Sequence, residues 1–165
     1  MRDTFQHPSA KSSDSWLTPP NLLKLLGKFD LDPCCPNTPM PWRTAKRMVT
    51  EAEDGLSVQW SGRVWLNPPY SNALPWIQRM AVNNCGMALV YARSTDTQWG
   101  QLALHTCSLA YFLAGRLLFF YPDGSPSTGK WCSSMLLSFG KSDAEVLKQV
   151  NMTNQFPGTF MKRVR

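Results

Sequence analysis

Short apolar runs alternate with amphipathic segments along the first two thirds of the chain. Val64–Leu66 and Met87–Tyr91 are compact and almost wholly apolar, which is typical of strands covered on both faces of a sheet. Pro75–Val82 and Thr97–Cys107 have the starting residues and spacing of helices. This alternation predicts an α/β fold with a mostly parallel sheet.

The segment before these elements predicts a helix and a first strand. Thr18 suits the N-cap of the helix and Pro19 suits its first position. Phe29–Asp32 alternates apolar and acidic residues, which predicts a short strand that stops at Pro33. Positions 33 to 41 hold four prolines, so we expect a loop there.

The last third of the chain predicts three more strands, at Leu109–Leu113, Leu117–Phe120 and Ser134–Phe139. We expect the last two to pair as a C-terminal antiparallel hairpin across a loop rich in Gly, Pro and Ser. Residues 1–14 are polar and Ser-rich, which predicts a poorly ordered segment ahead of a single domain over 15–165.

The composition favours a globular protein with a polyanionic partner. Hydrophobic residues make up 43% of 165 positions, which is too many for a disordered chain. The formal net charge of +6 favours nucleic acid as a partner, although a basic surface can also serve solubility alone.

The cysteine pattern and the lack of long apolar runs bound the cellular context. The five cysteines include no C-x-x-C and no paired His/Cys spacing, so we expect reduced thiols and no zinc or other metal. No segment has the apolar core of a signal peptide or the length of a membrane span, which predicts a soluble, cytoplasmic protein.

The most informative motif is Asn67-Pro68-Pro69-Tyr70, which directly follows the Val64–Leu66 strand. The Asn67 amide oxygen can accept a hydrogen bond from an NH2 group, and the prolines extend the backbone so that the Pro68 carbonyl offers a second acceptor. Stacking of a nucleobase on Tyr70 would contribute about 1–3 kcal/mol. The motif therefore predicts a pocket for the exocyclic amine of a flipped base; the alternative is a rigid turn with an aromatic rim.

This motif resembles the catalytic motif of amino-directed S-adenosylmethionine-dependent methyltransferases, which act on DNA adenine, on RNA or on protein glutamine. The order of further segments resembles the phage- and prophage-encoded DNA N6-adenine methyltransferases of the Dam type. The matching segments are Trp16-x-Thr18-Pro19, Leu31-Asp32-x-Cys34, Asp54-Gly55-Leu56, Trp60-x-Gly62, Val64 to Tyr70, Trp76-Ile77, Ala92 to Thr97 with Trp99, and Gly115-Arg116-Leu117-x-Phe119. The resemblance implies a Rossmann-like methyltransferase fold, S-adenosylmethionine as cofactor, DNA adenine as acceptor, and the host-cell cytoplasm as location.

The resemblance also implies which residues hold the cofactor. The implied set is Trp16, Thr18, Pro19, Asp32, Pro33, Cys34, Asp54, Leu56 and Asn67. Within it, Thr18 and Pro19 match the segment near the methionine end, and Asp32 matches the acidic residue that ends the first strand. Asp30 remains an alternative to Asp32.

Two features of this cofactor set stay open. Asp54 matches the acidic residue beside the donor's adenine, but Asp54-Gly55 is equally a turn dipeptide. Either Glu51 or Glu53 is a candidate for the ribose hydroxyls.

The loop that follows Asp32 contains no glycine, unlike that of many methyltransferases, so its prolines must shape it. Cys34 and its neighbour Cys35 are interpreted as packing residues and not as nucleophiles.

Four positions are candidates for DNA contacts, namely Arg93, Thr95, Arg116 and Lys130. Arg93 and Thr95 follow the Met87–Tyr91 strand, at the same edge of the predicted sheet as Asn67. The alternative for the cations is a solvated surface. Asp96 or Thr97 is expected to cap the following helix.

The predicted reaction is direct methyl transfer to adenine N6, without a metal or a covalent intermediate. One alternative is an RNA or protein-glutamine methyltransferase, since the positive charge suits RNA as well as DNA. The other is an inactive DNA-binding module of the same fold. The sequence does not fix the target site or distinguish a monomer from a weak dimer.

Overall fold

The computed structural model describes residues 16–37, 39–128 and 133–161. In these ranges seven strands form one sheet with helices on both faces. The strands are β1 (Leu31–Cys35), β2 (Arg47–Thr50), β3 (Val64–Leu66), β4 (Gly86–Tyr91), β5 (Leu109–Arg116), β6 (Ser133–Phe139) and β7 (Gly158–Met161). The helices are α1 (Pro20–Leu26), α2 (Leu74–Asn83), α3 (Gln98–Thr106) and α4 (Lys141–Met152).

The sheet order is β2-β1-β3-β4-β6-β5-β7, and its first four strands are parallel. Strand β6 is antiparallel to both β4 and β5, so β5 runs in the direction of β4, and β7 is antiparallel to β5. The carboxyl ends of β1 to β5 therefore share one edge, called here the carboxyl edge. The chain winds outward from β1 to β2 and in the other direction from β3 to β4, so a topological switch point lies between β1 and β3.

Two apolar clusters cover the two faces of the sheet. Helices α1 and α4 pack on one face and α2 and α3 on the other. In β3, the Trp65 side chain belongs to the first cluster, whereas Val64 and Leu66 belong to the second. All three side chains are buried, which explains why the strand is continuously apolar in sequence. No helix within the described ranges is long and apolar enough to cross a membrane.

Most of the predicted central elements are confirmed, and the sheet is an α/β sheet with a parallel centre. The predicted strand at Val64–Leu66 has the observed bounds, and β4, β6, α2 and α3 lie within about one residue of their predicted bounds at most ends. The predicted cap of α3 is Thr97, whose Oγ1 accepts from Gly100 N at 3.1 Å. The predictions for residues 1–14 and for Lys130 fall outside the described residues.

The start of the chain differs from the prediction at two points. The N-cap of α1 is Pro19 and not Thr18, and the helix begins at Pro20. Strand β1 does not stop at Pro33 but continues through it to Cys35. Proline is tolerated there because the register with β2 shifts between Asp32 and Cys35, so the ladder does not need the missing N–H of Pro33.

The predicted strand at Leu117–Phe120 is wrong. Phe120 forms only isolated bridges, to Leu17 and Pro126, while β5 extends to Arg116. The partner of β6 in the antiparallel pair is therefore β5, and the other side of β6 is taken by β4. Strands β2 and β7 and helix α4 were not predicted at all.

Candidate active site

Asn67 directly follows β3 and lies at the carboxyl edge beside the switch point. Its Nδ2 donates a hydrogen bond to the carbonyl oxygen of Trp16 at 3.0 Å. This bond fixes the amide orientation, because only the nitrogen side can donate to a carbonyl. The amide oxygen is thereby presented as an acceptor.

The two prolines place a second acceptor beside this amide. Pro68 is buried, and no described residue donates to its carbonyl oxygen. The Pro69 carbonyl accepts from Asn72 N at 3.2 Å within a 3₁₀ turn, Tyr70–Asn72. Of the two proline carbonyls, Pro68 is therefore the one left available to a ligand.

Tyr70 is half-buried and turned toward the protein. Its ring stacks on Tyr91, with ring centroids 3.6 Å apart and planes 16° apart. Its hydroxyl lies 3.3 Å from Asn67 Oδ1 and 3.2 Å from the Leu89 carbonyl, and its single hydrogen can serve either acceptor. One face of the Tyr70 ring is thus already covered, a contact that sequence reasoning missed.

The predicted DNA-contacting residues in the described ranges also lie at this edge. Arg93 is exposed in the 3₁₀ turn after β4, with its guanidinium 5.5 Å from the Tyr91 ring centroid. Thr95 is half-buried, and its carbonyl accepts from Gln101 Nε2 at 2.5 Å. Arg116 is exposed at the carboxyl end of β5. Arg93 and Arg116 are therefore placed on the same side of the sheet as Asn67.

Asp32 lies across the switch point from Asn67 and is 4% exposed. One carboxylate oxygen accepts from Cys34 N at 2.9 Å and the other accepts from the Thr44 hydroxyl. Burial raises the pKa of this carboxyl, and these hydrogen bonds only partly oppose the rise. No Lys or Arg of the described ranges forms an ion pair with it. Asp32 is a buried carboxylate that lacks a cationic partner.

The alternative residue, Asp30, points elsewhere. It is exposed before β1, at the opposite edge of the sheet, and its Oδ2 accepts from Arg63 N at 2.8 Å. Asp32, the second residue of β1, is buried in the sheet, so of the two it is Asp32 that lies nearer the carboxyl edge.

The Asp54-Gly55 turn packs directly against the end of β1. A Cβ on Gly55 would lie 1.9 Å from the Pro33 carbonyl oxygen, so only glycine fits. Gly55 therefore allows the Asp54-Gly55 turn to lie directly against the backbone of β1.

Asp54 stabilises its own turn. Its carboxylate accepts from the Ser57 hydroxyl and from Leu56 N at 3.1 Å, and these bonds lower the pKa of the exposed carboxyl. The backbone of Asp54 has φ 52°, in the left-handed region. The turn role is therefore present in the structure, and Leu56 is held in the same turn.

Two side chains for which the sequence predicted no role fix this turn. Arg79 on α2 donates to the Leu56 carbonyl at 2.7 Å and to the Val58 carbonyl at 2.5 Å. Trp60 Nε1 donates to the Gly55 carbonyl at 2.8 Å. No local signal identifies them, because the bonded positions lie five to 23 residues away.

The segment before α1 brings an unsatisfied hydroxyl to the site. Thr18 is 2% exposed, and its Oγ1 is the one buried side-chain polar atom without a hydrogen-bond partner in the described ranges. Leaving such a group unpaired costs about 1–3 kcal/mol. Pro19 precedes α1, where its carbonyl accepts from Leu22 N at 3.1 Å. The Thr18 hydroxyl therefore has the capacity for one more polar contact.

The cysteines of β1 are chemically quiet. Burial raises the pKa of the Cys34 and Cys35 thiols, and the nearby Asp32 charge raises both further. A raised thiol pKa argues against a nucleophilic role. Within the described residues, no group of three or more His, Cys, Asp or Glu side chains is placed to hold a metal ion.

The family model for DNA N-6-adenine-methyltransferase (Dam) matches residues 6–155. The chain belongs to this Dam family. A curated relative is the DNA N-6-adenine-methyltransferase of Haemophilus phage HP1 (strain HP1c1). It is 30% identical to this chain over an alignment of 108 residues, which covers 61% of the chain. The chain thereby spans about 60% of the length of that relative. No solved structure matches the chain.

Proposed function

We propose that this chain transfers the methyl group of S-adenosylmethionine to N6 of adenine in DNA, on a Rossmann-like methyltransferase fold. The observation that carries the proposal is the pair of acceptors at the end of β3. The Asn67 amide oxygen is oriented by the Trp16 carbonyl, and the Pro68 carbonyl beside it has no described donor. Membership of the Dam family supports the same reaction and the same substrate.

Two acceptors suit an exocyclic amine because its nitrogen is a weak nucleophile. The adenine N6 lone pair is delocalised into the ring, and hydrogen bonds from both N–H groups to fixed acceptors favour its localisation as attack begins. Such bonds strengthen in the transition state, and so they accelerate the step. The Asn67 and Pro68 oxygens would hold the two N6 hydrogens while N6 takes up the methyl group that a bound S-adenosylmethionine supplies, and N6 would then lose one of these protons to balance the new bond.

Two buried groups near the carboxyl edge lack a partner that the cofactor could supply. In the described ranges the Asp32 carboxylate has no cationic partner, and the Thr18 hydroxyl has no hydrogen-bond partner. S-adenosylmethionine, when bound, supplies an electrophilic methyl group and a positively charged amino group. Asp32 would hold that ammonium, since it is a buried carboxylate with no cationic partner in the described ranges. The Thr18 hydroxyl would make a polar contact in the same region. Open α/β sheets bind ligands at this switch point.

Glu51 is the better candidate for the ribose hydroxyls. Glu53 accepts from Thr50 N at 3.0 Å and from Thr50 Oγ1 at 3.2 Å, so its carboxylate closes a capping box. Glu51 directly follows β2 at the carboxyl edge, and among the described residues its carboxylate accepts a hydrogen bond from Asn37 Nδ2 alone, at 3.3 Å. An exposed carboxylate with one long contact is free to bind a pair of hydroxyls.

The test is nucleoside mass spectrometry on methylation-free DNA incubated with the protein and S-adenosylmethionine. Asn67→Ala is the matched control, and calorimetry on the control must show that it still binds the cofactor. N6-methyladenine that depends on Asn67 is the expected result. Methylation of RNA or of a protein glutamine in place of DNA would overturn the proposed substrate. Failure to bind the cofactor would favour an inactive DNA-binding module.

A further inference from the structure

A cleft of about 550 Å³ runs along α1, on the face of the sheet away from α2 and α3. Its wall is formed by α1, the turn before β1 and the segment before β2. The charged residues of this wall are Lys24, Lys28, Asp30, Arg43 and Lys46, and its aromatic residues are Phe29 and Trp42. We call it the α1 cleft. Its lining does not include Asn67 or Tyr70.

The α1 cleft carries four cations and one carboxylate. The ammonium groups of Lys24, Lys28 and Lys46 form no hydrogen bond or ion pair within the described residues, and all three side chains are exposed. Arg43 donates from Nε to the Ala45 carbonyl at 3.3 Å and from Nη2 to the Lys46 carbonyl at 2.5 Å, which holds its guanidinium over the wall. Concentrated unpaired positive charge of this kind attracts an anion.

The upper end of the α1 cleft adjoins the candidate active site. Trp42 Nε1 donates to the Thr18 carbonyl at 3.1 Å, and the Trp16 carbonyl two residues earlier accepts from Asn67. The hydroxyl of Thr44, which lines the cleft, donates to Asp32. The cleft is therefore continuous with the residues that surround the switch point.

The lower end of the α1 cleft lies at the opposite edge of the sheet, where Lys28 and Asp30 precede β1. Lys46 N donates to the Phe29 carbonyl at 2.9 Å, and Arg43 Nη2 donates to the Lys46 carbonyl, so these two residues lie beside Lys28 at this end. Lys24 lies in the last turn of α1. The cations therefore line the wall from α1 to the segment before β2.

We propose that the α1 cleft binds the sugar-phosphate backbone of the DNA strand beside the target base. This inference rests on the proposed function, because the occupant is the substrate DNA. Contacts to phosphate carry no sequence information, so the cleft would add affinity and orientation to every site that the enzyme visits.

The test compares Lys24→Gln/Lys28→Gln with the control Lys141→Gln/Lys148→Gln, which removes the same charge from α4. Lys141 is exposed, and Lys148 pairs only with the exposed Glu145, a contact of small energetic value. DNA affinity is measured by fluorescence anisotropy between 50 and 200 mM salt, and cofactor affinity by calorimetry. Lys24→Arg/Lys28→Arg tests whether charge alone restores binding.

Affinity for DNA falls as salt rises, so the slope of log affinity against log salt is negative. The cleft variant should reduce the magnitude of this slope by about 1.8, or about 0.9 for each lost phosphate contact. The ratio of wild-type affinity to variant affinity should therefore fall by about tenfold between 50 and 200 mM salt. The arginine variant should restore the wild-type slope, and cofactor affinity should not change. Equal slopes for the cleft and control variants would overturn the proposal. Methyl transfer is measured separately. If the protein bound DNA but formed no N6-methyladenine, the proposed function would be rejected. The salt dependence of DNA affinity would then still decide whether the cleft binds DNA.

Discussion

Arg63 donates from Nε to Asp143 Oδ1 at 2.6 Å, across 80 residues of chain. Its Nη1 and Nη2 donate to the carbonyls of Lys28 and Leu26 at 2.8 and 2.9 Å, while Asp143 Oδ2 accepts from Gly86 N at 3.0 Å. One ion pair therefore joins the end of α1, the starts of β3 and β4, and the first turn of α4.

Replacing Arg63 should destabilise the fold without touching the carboxyl edge. Arg63→Met leaves Asp143, which is 1% exposed, without its cation, and we expect the free energy of unfolding to fall by about 3–5 kcal/mol. Urea denaturation measures this change. The double variant Arg63→Met/Asp143→Asn should recover part of the loss, because no charge is then left buried. A loss under about 1 kcal/mol in the single variant would contradict a structural role for the pair.

Asp32→Asn should have opposite effects on stability and on cofactor binding. Burial raises the pKa of Asp32 in the folded protein, so the folded state binds this proton more tightly than the unfolded state. The wild type therefore loses stability, relative to the variant, as the pH rises from the ordinary carboxyl range through the raised pKa. We expect ligand-free Asp32→Asn to be at least as stable as the wild type at pH 7, with the difference smaller at pH 4.

The same variant should bind S-adenosylmethionine about 30-fold more weakly or worse, since removal of one partner of a buried charge pair costs about 2 kcal/mol or more. Calorimetry measures the affinity, and thermal unfolding at the two pH values measures the stability. Unchanged affinity for the cofactor would remove Asp32 from the site.

Tyr70 variants should separate stacking from hydrogen bonding. Tyr70→Ala should lower kcat/KM for DNA by roughly 5- to 150-fold, the equivalent of about 1–3 kcal/mol of base stacking. Tyr70→Phe keeps the ring and loses the hydroxyl contacts to Asn67 and Leu89, so it should keep most of the activity. Steady-state methylation assays measure both. An inactive phenylalanine variant would show that the hydroxyl, and not the ring, is what the reaction needs.

Arg79→Met should loosen the Asp54-Gly55 turn and weaken cofactor binding. The side chain donates two bonds to carbonyls of that turn, and neither bond reaches the carboxyl ends of β3 or β4. We expect a higher KM for S-adenosylmethionine with kcat little changed at saturating cofactor. Gln78→Met, one position earlier on α2, is the control. A fall in kcat with an unchanged KM would argue that Arg79 does not act through the turn.

The motif at the end of β3 could be predicted because its information is local. An apolar run, an amide and two prolines within seven positions define the strand, its end and the acceptors. The Asn67–Trp16 bond spans 51 residues, and the Tyr70–Tyr91 stack joins two different strand ends. The sequence marks Trp16 and Tyr70 individually, but nothing in it shows that Trp16 accepts from Asn67 or that Tyr70 stacks on Tyr91.

The errors have physical causes of the same kind. Leu117–Phe120 is apolar because Leu117 and Phe119 belong to the core, and burial alone does not distinguish a strand from a packed loop. Strand β1 runs through Pro33 because a shift in register with β2 removes the need for the N–H of Pro33. The sequence of β1 alone does not reveal this shift, because it depends on how β2 pairs with β1. Nothing in the sequence singles out Arg63 or Arg79, because the backbone carbonyls to which they donate lie 21 to 37 residues away.

The position of β6 has a consequence for how the protein is made. This strand, Ser133–Phe139, lies between β4 and β5 in the sheet but follows both in the chain. During synthesis, β4 and β5 therefore leave the ribosome before the strand that joins them, and each has an unpaired edge in the meantime. A nascent chain that stops before residue 133 should aggregate, and synthesis of residues 133–161 should complete the sheet in one late, cooperative step.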